Sequence, residues 1–112
     1  MNAADADEIS TLEAQISSYE VKILVIEGDI LVTKGKILVI ENTRKQRVLR
    51  DQEQSELVAL HNKETALNNK ETALYSERTA YANQKVELLK RREQRMYQEE
   101  MKMREQETAR VT

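Results

Sequence analysis

The chain has 112 residues, 34% of them charged, and a net charge of −2, so one small domain is the most that its length supports. It has no cysteine, proline, tryptophan or phenylalanine, and only two glycines and four tyrosines; this excludes disulfides and thiolate chemistry and points away from an aromatic globular core toward a long helix or coiled coil. The charge is uneven: residues 1–42 hold three lysines against eight acids, a net of −5, and residues 43–112 hold fifteen basic residues against twelve acids, a net of +3. The two halves therefore attract each other, within a hairpin or between chains, through contacts that are individually weak and screened by salt.

Residues 1–8 read as an acidic flexible tail without the apolar run of a secretory signal. Ser10 with Glu13, and Ser17 with Glu20, have the S-x-x-E form of a helix capping box. From Ile9 the apolar residues step alternately by three and four: Ile9, Leu12, Ile16, Tyr19, Ile23, Ile26, Ile30, Thr33, Ile37 and Ile40, with Thr33 the one polar member. That spacing is the a/d seam of a helix that packs on another helix, and isoleucine at both positions favours assemblies larger than dimers. Residues 9–41 are thus expected to form an assembly helix.

The seam is not the whole apolar content of this segment. Lys22–Glu27 reads K-I-L-V-I-E and is repeated at Lys36–Glu41, with Ile30-Leu31-Val32 between them. Leu24, Leu31 and Leu38 fall at heptad position b, and Val25, Val32 and Val39 at c. A helix apolar most of the way round needs cover on several sides. Gly28, Gly35 and Asn42 share the outward f position, where a glycine lowers helix propensity by roughly 1 kcal/mol without opening a hole in the seam.

The β-branched content of residues 20–42 also fits a β-meander, with turns at Gly28-Asp29 and Gly35. Glu27-Gly28-Asp29, Gly35, Leu38 and Ile40-Glu41 resemble the pattern of biotinyl and lipoyl carrier domains and of bacterial secretion adaptors. The resemblance covers about twenty residues, departs from the family spacing by one residue at two places and lacks the carrier lysine. It would imply strands here. The helical phase, which begins at Ile9 before the β-rich block and continues through it, implies helix.

Residues 42–56 form a polar junction or turn in which Val48 and Leu49 are the only apolar residues. Asn42 is placed to end one helix, and Thr43 with Gln46 to cap the next. Residues 57–112 read as a charged helix with a frayed C-terminus. Within it Leu60, Leu67, Leu74, Tyr81 and Leu88 recur every seven residues, and Ala66, Ala73 and Ala80 precede three of them. This second stripe is weakened by the intervening Glu64, Glu71, Arg78 and Lys85.

The expected fold class is all-α, a long coiled-coil-like helix or a two-helix hairpin, oligomeric. Nothing in the chain has the spacing of a catalytic, metal-binding or nucleotide-binding motif: His61 is the only histidine, and the carboxylates are scattered at helix-surface intervals. No enzymatic activity, cofactor, metal or small-molecule substrate is expected. Basic clusters at Arg44–Arg50 and Lys90–Arg95 are interleaved with acids and lack aromatic partners, which argues against nucleic acid. The longest apolar run is four residues, too short to span a bilayer, so the expected location is cytoplasmic, or exported without a cleaved signal peptide. The expected function is structural: self-assembly, or scaffolding of another helical protein, through the isoleucine seam. A small helical chaperone or secretion-machine component is the second reading, and a basic nucleic-acid-binding helix the third.

Overall fold

The computed structural model describes residues 3–111. Two helices account for nearly all of them: α1, Ala3–Gln46, and α2, Asp51–Val111. They pack as a hairpin, and no strand occurs among the described residues. The β-meander that the valines and isoleucines allow is therefore not formed. Period-two alternation would put Ile23 and Val25 on one face, whereas Ile23 is 3% exposed and Val25 is 59% exposed. The burial follows the three–four step instead.

The chain divides into two compact units, residues 1–16 with 79–112 and residues 17–78. In the second, α1 and α2 run antiparallel on either side of the turn at 47–50. Glu27 meets Tyr75, and Glu41 approaches His61. The inward row of α1 is Tyr19, Ile23, Ile26, Ile30, Thr33, Ile37 and Ile40, buried but for the half-buried Tyr19. The row of α2 is mixed: Leu57 and Leu60 are buried, and Glu64, Leu67, Glu71, Leu74 and Arg78 are half-buried. Long charged side chains of this kind cover apolar surface with their stems while their heads stay in water. In the first unit Ile9 and Leu12 are buried, and Ile16, Tyr81, Lys85, Leu88 and Arg92 are half-buried. Lys85 pairs with Glu13 at 3.3 Å and Arg95 with Asp5. These pairs join the acidic start of the chain to its basic end, as the charge imbalance predicts.

Asn42 does not end α1, and Thr43 does not cap α2; α1 continues through both to Gln46, and the Thr43 hydroxyl donates to the Val39 carbonyl at 3.0 Å. The turn falls at Arg47-Val48-Leu49-Arg50. Leu49 drops into a cluster with Ile37, Ile40, Leu57 and Leu60, which closes the apolar end of the seam. Glu53, at the third position of α2, accepts the Arg50 backbone N–H at 3.0 Å, one half of a capping box. Both of its oxygens also accept from Arg47, at 2.8 Å each. At its other end α1 includes Asp5–Glu8, so Ser10 and Ser17 lie inside the helix rather than at its start.

Thr33 is the most buried side chain, 1% exposed, and its hydroxyl donates to the Asp29 carbonyl at 2.8 Å. That carbonyl belongs to the helix ladder, so losing the hydroxyl strands no acceptor. Thr33→Val is expected to stabilise the chain by up to ~1 kcal/mol, since an apolar group replaces a buried hydroxyl of equal shape. The urea midpoint measures it, and a fall would mean that the hydroxyl contributes net stability.

Candidate functional site

The isoleucines expected to hold an assembly together are buried within the chain, except the half-buried Ile16. The six off-seam residues Leu24, Val25, Leu31, Val32, Leu38 and Val39 are exposed, Leu31 by 70% and Leu24 by 67%. Val21, 61% exposed, extends the same face. On a helix turning 100° per residue these seven side chains span an arc of roughly 140° on the side away from the seam. The leucines form one column and the valines the other. Gly28 and Gly35 lie between the columns.

A column of mixed charge borders the face on each side. Beyond the leucines lie Glu20, Glu27, Lys34 and Glu41, and beyond the valines lie Lys22, Asp29 and Lys36. Several of these have partners within the chain. The Tyr75 hydroxyl donates to Glu27 Oε1 at 2.6 Å, and Glu41 lies 3.9 Å from Arg44 and 4.0 Å from His61 Nε2. Lys22 sits over the Tyr19 ring, 4.9 Å from its centroid. Asp29, Lys34 and Lys36 form no ion pair among the described residues. The Tyr75 hydroxyl is pushed above its usual range, first by its bond to Glu27 and then by burial.

Leu60 is buried, and Leu67, Leu74, Tyr81 and Leu88 are half-buried along the α2 row. Ala66, Ala73 and Ala80 are exposed, so the alanines lie beside the seam and the charged residues Glu64, Glu71, Arg78 and Lys85 lie in it. Leu49, Leu57 and Tyr75 are structural contacts that the heptad reading did not single out. His61 is exposed, and no group of three potential metal ligands occurs among the described residues. A cleft beside the turn, about 610 Å³, is lined by Arg44, Lys45, Val48, Leu57 and Val58, with Arg47 already held by Glu53. No helix of the described residues is long and apolar enough to cross a membrane.

Comparison with protein-family models, with curated proteins and with solved structures finds no match.

Two expectations follow from the charged contacts. Arg47, first through its hydrogen bonds, and the Arg50 N–H hold the Glu53 carboxyl at about 2, down from 4.5. A depressed pKa contributes stability that is full above the unfolded value and lost as pH falls through the folded one. The turn is therefore expected to loosen between about pH 4.5 and 2, and Glu53→Gln to flatten that part of an acid titration of helicity. An unchanged profile would remove Glu53 from the account. At the open end, Arg95→Glu is expected to cost at most ~1 kcal/mol at low salt and less at high salt, because the pair is partly exposed. Thermal unfolding at two salt concentrations checks this.

Proposed function

We propose that the chain is a helical assembly module. Its isoleucine seam holds α1 to α2, and its outward leucine–valine face binds other helices, those of its own kind first. The observation that carries this reading is the contiguous face of seven large apolar side chains left in water on a helix whose seam is already covered. Patches of this kind on soluble chains mark interaction sites. Full burial is worth roughly 1.5–3 kcal/mol per side chain. Seven such side chains therefore outweigh the low end of the ~4–15 kcal/mol cost of association. The adhesive element is thus assigned to the b and c columns of α1 rather than to its a/d seam.

Leu31→Lys with Leu38→Lys is expected to give a monomer that keeps its helicity, while Glu64→Gln with Glu71→Gln leaves the assembly intact. Sedimentation at micromolar concentration reads both. A wild-type chain that sediments as a monomer would sink the self-assembly reading. Binding of the same face to a different helical protein would then support the chaperone or scaffold reading.

A further inference from the structure

We propose that the outward face of α1 receives a second copy of this chain, docked antiparallel, with the two-fold axis passing between Leu31 and Val32. This deepens the assembly reading above and rests on it. The order of charges along the two borders of the face distinguishes the possible dockings.

In an antiparallel pair of helices each border meets its own counterpart, and in a parallel pair it meets the opposite one. With the axis between Leu31 and Val32, Glu27 of one copy lies within two residues, about 3 Å along the helix, of Lys34 of the other. Asp29 lies equally close to Lys36. The two-fold axis repeats both contacts, so four opposite-sign pairs flank the centre. A parallel, in-register pair at the same two-residue offset instead sets Glu27 beside Asp29 and Lys34 beside Lys36, four like-sign contacts, while its opposite-sign neighbours Lys22–Glu27, Asp29–Lys34 and Lys36–Glu41 lie five residues, about 7.5 Å, apart along the helix. Sliding an antiparallel copy by seven residues keeps leucine facing leucine and valine facing valine. It also sets Lys34 against Lys34 and Lys36 against Lys36, or, in the other direction, Glu27 against Glu27 and Asp29 against Asp29. The apolar columns therefore supply adhesion at every seven-residue step, and the charges choose one direction and one register. Asp29, Lys34 and Lys36 have no ion-pair partner among the described residues of the chain itself. One unfavourable juxtaposition remains at each end, Glu20 near Glu41, where Arg44 stands 3.9 Å from Glu41.

The glycines agree with this docking. Neither has a positive φ, and a Cβ built on either would meet nothing within 4 Å. Neither backbone conformation nor packing inside the chain calls for glycine there, although each weakens the helix relative to alanine. About the same two-fold axis Gly28 of one copy faces Gly35 of the other, twice, on the midline of the face between the leucine and valine columns. Paired glycines let two helices approach more closely than side chains otherwise permit.

The cysteine-free sequence makes a direct test available. Leu31→Cys alone should form a disulfide-linked dimer on mild oxidation of the full chain. Leu24→Cys alone and Leu38→Cys alone should not, because the two copies of each lie about 20 Å apart along the axis, beyond the ~7 Å Cα reach of a disulfide. An equimolar mixture of the last two should cross-link. Self-linking of Leu24→Cys and Leu38→Cys, with no cross-linking beyond statistical in their mixture, would overturn the antiparallel docking and leave self-assembly standing. A wild-type chain that stays monomeric by sedimentation would overturn both. Charge reversal gives a second readout. Asp29→Lys should weaken the dimer, and adding Lys36→Asp should restore it; a loss that Lys36→Asp does not rescue would overturn the pairing. Gly28→Ala with Gly35→Ala should raise the melting temperature at dilution, where the chain is monomeric, and weaken the dimer by about tenfold or more through overpacking. A tighter dimer from that variant would overturn the close approach.

Discussion

The fold depends on the burial of one row of β-branched side chains. Ile23, Ile26, Ile30, Ile37 and Ile40 are each at most 8% exposed, in a chain with no aromatic core and no covalent bridge. Isoleucine has modest helix propensity, so α1 owes its stability to what covers it more than to its own backbone. The cover is α2, whose inward row alternates leucine with charged residues. The division of labour is unequal: α1 supplies apolar surface, and α2 supplies helix-forming residues whose stems lie over that surface. A seam built this way is adequate to hold two helices together. α2 also exposes Val58, Val86, Met96, Tyr97 and Met103, but the row of leucines and valines recurring every seven residues lies on the back of α1.

Much of this arrangement can be read in the sequence, for a physical reason. The three–four step from Ile9 to Ile40 fixes both the helix and its inward face, and the remaining columns then have nowhere to point but outward. The charge imbalance allows a hairpin or a contact between chains; Asp5 paired with Arg95 is the hairpin alternative. The turn was harder. Arg47-Val48-Leu49-Arg50 contains no glycine, proline or asparagine, and it is held by Leu49 burial and by Glu53 reaching back to Arg47 and Arg50, contacts that no local propensity encodes. Asn42 and Thr43 carry stop and start chemistry but lie within a helix that tertiary burial of Ile37 and Ile40 carries onward. In α2 two adjacent columns repeat every seven residues, alanine in one and charge in another. Glu64, Glu71 and Arg78 join the leucines because they complete the three–four step, whereas each alanine stands one residue, about 100° around the helix, from its leucine or tyrosine.

The outward face of α1 shows how a repeat serves two ends. The same K-I-L-V-I-E unit places its isoleucines in the seam and its central Leu-Val pair on the back, so the two surfaces are locked in phase. A residue inserted between the repeats would rotate the second repeat relative to the first by about 100° and so break both surfaces together. The charged border residues are freer, since a salt-screened edge tolerates substitution that a buried row does not.

The four-residue turn also sets the order in which the chain can fold. The cluster around Leu49 joins residues only a short loop apart, whereas Asp5 and Arg95 are separated by 90 positions. Loop-closure entropy rises with that separation, so the distant pair is too costly to nucleate from the open chain. It becomes accessible only once the intervening helices have joined and the effective loop has shortened. Loop-closure entropy alone thus favours contacts forming from the turn outward, and amide protons near Asp5 and Arg95 are expected to exchange before those beside Ile37.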